Sequence, residues 1–228
     1  MRSVLKNNIM DSFINYLKNP VYCESRKLST IKFIALYFLY LIASIAIVVV
    51  ISIVRMAFHL VQYNPECSPL KIILFAVLLA PFYEEVIFRS LLRFKWSSIL
   101  IFISTAIALS VFFIYNSKFV LAILLSVFVL VVLLLVTIFT RNKVELFIES
   151  KFKYFFYSSS ILFGLLHASN FTGNIYYILA FSFILGGPQI VLGLINGYIR
   201  MNHGLKYSIL FHMVVNMPII VTVLLHTK

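Results

Sequence analysis

The sequence predicts an all-α protein: a polytopic transmembrane helix bundle of about seven spans, with eight as the alternative count. Three observations predict this. The 228 residues are 62% hydrophobic and only 11% charged, with a mean hydropathy of +1.04, outside the range of a water-soluble domain. Apolar runs of about 20 residues, the length that crosses a hydrocarbon core, follow one another along the chain. Short polar breaks, several bearing Pro, Gly or Asn, separate them.

Residues 1–29 are polar and read as a cytoplasmic N-terminal segment. Within it Val4–Leu17 is weakly amphipathic, as a helix lying on a membrane surface would be. Residues 30–228 form one membrane-embedded helical domain. Its first apolar run, Ile31–Val54, is too long for a signal-peptide core and is expected to stay as an anchor. The further spans fall at about 71–92, 97–115, 118–140, 155–171, 175–198 and 205–225. They are divided at Asn64-Pro-Glu-Cys-Ser-Pro69, Lys95-Trp-Ser-Ser98, Asn116-Ser-Lys118, Arg141-Asn-Lys143, Thr172-Gly-Asn174 and Arg200-Met-Asn-His203. Residues 97–140 also suit a re-entrant pair. Residues 141–153 are strongly basic and read as a solvated cytoplasmic connector. Gly193 and Gly197, four apart, suit a close helix crossing.

The net charge is +12. The basic residues flank apolar runs, so they are expected to set topology and meet anionic lipid rather than nucleic acid. With the N-terminus inside, Arg2, Lys6, Lys18, Arg26, Lys27, Arg93, Lys95, Arg141, Lys143, Lys151, Lys153, Arg200 and Lys206 fall on the cytoplasmic side. Only Arg55, Lys71, Lys118 and Lys228 fall opposite. This bias places the N-terminus in the cytoplasm. The richness in Ile, Phe, Tyr, Lys and Asn suits a bacterial source, hence an integral protein of the bacterial inner membrane. Cys23 and Cys67 fall on opposite sides and are not expected to pair.

Three ionisable clusters interrupt the apolar runs: Glu84-Glu85-Val-Ile-Phe-Arg89, Phe163-Gly-Leu-Leu-His167 and His212-Met-Val-Val-Asn216. A charge at mid-bilayer costs about 2.5–3.5 kcal/mol on insertion scales, so its default explanation is function. Glu85 and Arg89 are four apart and face each other as an ion pair. Glu84 is turned about 100° from Glu85, lacks a partner on its own helix and suits a general base. A purely structural Glu-Glu-Arg network is the competing reading. Phe163 lies one turn before His167 and is placed to wall a site. His167 counts to about mid-bilayer from the aromatic patch Tyr154–Tyr157, whereas Glu84 and His212 count to the inner half. A tilted or early-ending helix is needed to bring them together. His212 and Asn216 share a face and suit an oxyanion hole; interhelical hydrogen bonding is the bland alternative.

The order Glu-Glu-x-x-x-Arg, Phe-x-x-x-His, His-x-x-x-Asn on separate apolar helices resembles the CPBP family. These are the CAAX-type prenyl endopeptidases and bacteriocin-processing intramembrane proteases, also called the Abi family. The similarity covers about residues 70–220, including the glycine-bearing helix Leu192-Gly-Leu-Ile-Asn-Gly-Tyr-Ile-Arg200. The resemblance implies hydrolysis of a peptide bond in a peptide or membrane-protein substrate, in peptide maturation, bacteriocin immunity or CAAX-type processing. It implies that Glu84 with His167 activates water, that His212 and Asn216 hold the oxyanion, and that Glu85 and Arg89 support them. The family is formally classed with metalloendopeptidases. No His-Glu-x-x-His zinc signature is present, and no tightly bound metal is expected; zinc is the alternative cofactor, with Glu84, His167 and His212 as its three-ligand set. A non-catalytic immunity scaffold or a proton-linked transporter is the alternative function. A transporter would be expected to show internal repeats, and none is evident.

Overall fold

The computed structural model describes residues 9–23, 25–62, 68–93, 95–115, 119–138 and 141–221. Arg2, Lys6, Cys67, Lys118 and Lys228 lie outside the described residues, as do the start of the N-terminal stretch and the end of the last expected span.

The described residues are all-α apart from one ribbon of two two-residue strands. The helices run α1 (Ile9–Lys18), α2 (Thr30–Phe58), α3 (Pro69–Ile73), α4 (Ala80–Arg89), α5 (Trp96–Tyr115), α6 (Phe119–Ile138), α7 (Arg141–Ser150), α8 (Phe152–His167), α9 (Ile175–Ala180), α10 (Ser182–Leu185), α11 (Gly187–His203) and α12 (Leu205–Asn216). A π-helical stretch, Leu74–Leu79, joins α3 to α4. Strands β1 (Val61–Gln62) and β2 (Phe171–Thr172) pair antiparallel, tying the end of α2 to the segment after α8.

Among the described residues two helices, α2 and α5, are long and apolar enough to cross a membrane. At 1.5 Å per residue the 29 residues of α2 extend about 43 Å, longer than a hydrocarbon core of about 30 Å. Shorter apolar stretches lie at Ala122–Leu135 and Leu205–Val221. The expected spans are more broken than the hydropathy suggests. Residues 71–92 carry the π-helical stretch and end in a 3-10 turn, Ser90–Leu92. The expected 155–171 stops at His167. The expected 175–198 is three helices, interrupted at Phe181 and Gly186. Hydropathy averages over a window and does not see such interruptions. Residues 141–153 are not a loop: Arg141–Ser150 is helical.

Apolar side chains cover much of the outside. On α2, Ile42 is 69% exposed and Met56 79%. Among its described side chains α6 buries only Ala122 and Val129.

The core gathers α8, α11 and α12, with α1, α2 and α4 against them. Phe156, Phe163, Ile195, Ile199, Met201 and Phe211 are fully buried there. Two close approaches draw α8 onto α10 and α11. A Cβ on Gly193 would stand 3.0 Å from the Ser160 Cα, and one on Gly164 would stand 2.7 Å from the Gly186 carbonyl oxygen. Only glycine lets these backbones meet so closely.

The N-terminal segment is not set apart from the domain. Helix α1 buries Phe13 and Tyr16, whose rings stand edge-on to Tyr198 with centroids 5.2 and 5.1 Å away. Its other face keeps Met10 and Ile14 exposed. The Tyr157 hydroxyl donates to the Leu17 carbonyl, fixing the end of the helix.

Candidate active site

Glu84 and Glu85 are adjacent on α4, so they leave the helix in different directions. Glu85 points into the core and is fully buried. Its Oε1 accepts two hydrogen bonds, from Asn196 Nδ2 at 2.7 Å and from His212 Nδ1 at 3.0 Å. Its Oε2 lies 3.8 Å from Arg89 Nε, which is ion-pair distance and too long for a hydrogen bond. The expected Glu85–Arg89 pair is therefore present. Arg89 is also fully buried, with its guanidinium over the rings of Phe163 at 4.7 Å and Phe88 at 5.5 Å. None of its side-chain nitrogens makes a hydrogen bond among the described residues. Arg200 donates to the Arg89 carbonyl at 3.0 Å and caps the end of α4.

Glu84 faces the other way, and its side chain keeps 29% exposure. Its Oε1 stands 3.8 Å from His167 Nε2 and its Oε2 3.6 Å from His212 Nε2. The structure thus brings three of the four expected catalytic side chains together around one carboxylate. His167 and Glu84 meet although their counts along the chain put them at different depths. His167 is the last residue of α8, and its ring turns back so that Nδ1 lies 2.8 Å from the Phe163 carbonyl. The Phe163 ring packs edge-on against His167 and His212 and walls the site as expected.

The tautomers follow from these partners. A carbonyl oxygen only accepts, so His167 Nδ1 carries a proton, and in the neutral ring Nε2 presents a lone pair towards Glu84. The Glu85 carboxylate likewise takes the Nδ1–H of His212. Neutral His212 then faces Glu84 with an acceptor, and its Nε2 becomes a donor only in the imidazolium form. The oxyanion-hole role expected of His212 therefore calls on its imidazolium form.

Asn216 lies one turn beyond His212, at the end of α12. Its Nδ2 donates at 2.8 Å to the Ala76 carbonyl in the π-helical stretch. That bond fixes the amide and leaves its second N–H for another acceptor. Asn196 is the residue that sequence reasoning missed. Its signal was a polar side chain between Gly193 and Gly197, in a stretch read for its glycine spacing.

Among the described residues no group of three or more His, Cys, Asp or Glu side chains forms a metal-binding set. Glu84, His167 and His212 meet pairwise around Glu84 without closing into one, and no step below runs through a metal.

Comparison of the chain with protein-family models, with curated proteins and with solved structures finds no match in any of the three.

Proposed function

We propose that this protein is an intramembrane endopeptidase of the CPBP type, embedded in the bacterial inner membrane as a bundle of about seven spans with a cytoplasmic N-terminus. The observation that carries the reading is the meeting of Glu84 with both His167 and His212 inside an apolar bundle. The exposed apolar faces of α2, α5 and α6 support membrane embedding, since water would make them a heavy cost.

The chemistry follows from the tautomers. Glu84 Oε1 and His167 Nε2 are both acceptors, 3.8 Å apart. A water held by both donates one hydrogen to each and turns an oxygen lone pair outward. That oxygen attacks the carbonyl carbon of a peptide bond while Glu84 takes the proton. Glu84 passes that proton on to His212 Nε2, 3.6 Å from its Oε2, so the imidazolium N–H of His212 holds the oxyanion with the free N–H of Asn216 until the proton returns to Glu84. Collapse breaks the C–N bond, and Glu84 returns its proton to the leaving amine. Substrates are peptides or membrane proteins reaching the site through the opening that leaves Glu84 and His167 part exposed.

The test is purified protein in liposomes with a pool of synthetic hydrophobic peptides, products read by mass spectrometry. Glu84→Gln keeps the side chain's shape and removes the base, so turnover should vanish while thermal stability holds. Cleavage by Glu84→Gln at the parent rate would overturn the assignment. Cleavage should also survive exhaustive chelation; loss on chelation with rescue by zinc would replace the metal-free route.

A further inference from the structure

We infer that Asn196 is a positioning residue: through Glu85 it sets which nitrogen of His212 carries the proton and where that ring points. The inference deepens the peptidase reading and rests on it for its catalytic consequence. Asn196 sits mid-way along α11, fully buried. Its Nδ2 reaches Glu85 Oε1, the same oxygen that accepts the His212 Nδ1–H. A carboxylate only accepts, so the amide must present its NH2 there, with Oδ1 turned away and unpartnered among the described residues.

The need for a second donor on that oxygen comes from Arg89. Its guanidinium is buried beside Glu85, carries a full charge and makes no hydrogen bond among the described residues. The terminal torsion of a glutamate is broad, so the carboxylate can swing. Left to Arg89 alone, it would rotate to close the 3.8 Å gap to Nε into hydrogen bonds. That rotation would draw Oε1 off His212. Asn196 holds Oε1 against the pull, which keeps the His212 Nδ1–H occupied and aims Nε2 at Glu84. Arg89 and Asn196 thus tension one carboxylate from two sides, and the ring of His212 is set by the balance.

The experiment is nitrogen-15 NMR of histidine-labelled protein in liposomes, with the His212 signals identified by their loss in His212→Gln. In the parent, neutral His212 should carry its proton on Nδ1. In Asn196→Leu, similar in size and without a donor, neutral His212 should become a mixture of tautomers while His167 keeps its signals. Peptide cleavage should fall about 10–100-fold, as for other partners that orient a working histidine. A parent with the proton on Nε2, or an Asn196→Leu protein with His212 unchanged, would overturn the inference. If Asn196→Leu fails to fold, Asn196→Ala removes the same donor without adding bulk and is read the same way. The tautomer needs no substrate. A tautomer shift in a protein that cleaves nothing sinks the peptidase reading and keeps this one; lost cleavage with an unmoved tautomer does the reverse.

Discussion

Asn216 donates to the carbonyl of Ala76, the acceptor that Pro81 leaves without a backbone donor. The Ala80 amide bonds back five residues to Phe75. In that register the next amide belongs to position 81, and proline has none. The wider π turn lets the proline ring fit behind Glu84, and the side chain of Asn216 supplies the missing bond from another helix. Asn216→Leu should cost about 1–3 kcal/mol by leaving that carbonyl unpaired. Pro81→Ala in the same background supplies an amide and should recover part of the loss, read by thermal unfolding in detergent. Strictly additive effects would show that the two positions are not coupled.

Removing Arg89 should be costly for a different reason. Arg89→Met leaves the Glu85 charge fully buried without its ion partner, a loss of about 3–5 kcal/mol. Adding Glu85→Gln to Arg89→Met removes the stranded charge and should return much of the stability. The melting temperatures of the two single variants and the double decide it; a double variant weaker than Arg89→Met alone would contradict the pairing.

The crossing of α8 with α10 should tolerate no side chain at Gly164. A Cβ there would stand 2.7 Å from the Gly186 oxygen and 2.9 Å from the Ile190 nitrogen, both backbone atoms that cannot turn aside. Gly164→Ala should cost about 1–3 kcal/mol as overpacking. It should also lower turnover, because His167 is three residues further on the same helix. Unchanged melting and unchanged cleavage would mean that the crossing is looser than it stands here.

The site was legible in the sequence where one rule of spacing was enough. Glu85 with Arg89 followed from the four-residue step of a helix, and the meeting of Glu84, His167 and His212 from the cost of leaving such groups alone in an apolar setting. What was hidden depended on geometry between helices. Asn196 reaches Glu85 across 111 positions of chain, and no local pattern marks that link. The π turn before Glu84 needed Pro81 to be read as a register change rather than as a bend. The docking of α1 needed the ring of Tyr198 to be known as its receiver.

Cys23 offers a pH test at the N-terminal side. Its thiol is half-buried and donates towards the Met201 carbonyl at 3.5 Å. Burial pushes the thiol above its ordinary value of 9.0, against the opposing pull of Arg93 and Arg26. The folded protein therefore holds the proton to higher pH than the unfolded chain, and stability should be lost as pH rises through that range. In a Cys67→Ser background, maleimide should label the folded protein more slowly than the denatured one at neutral pH, with its rate rising at higher pH. Equal rates in both states across the pH range would show that Cys23 is not held in this way.

The docking of α1 has a consequence for how the protein is made. Ser12 meets the Tyr198 hydroxyl across 186 positions of chain. Synthesis runs from the N-terminus, so Phe13 and Tyr16 emerge long before the helix that receives them. During that interval Tyr16 can meet Phe156 of α8, but Tyr198, which takes both rings, has not yet been made. The docking of α1 can therefore be completed only when α11 is in place.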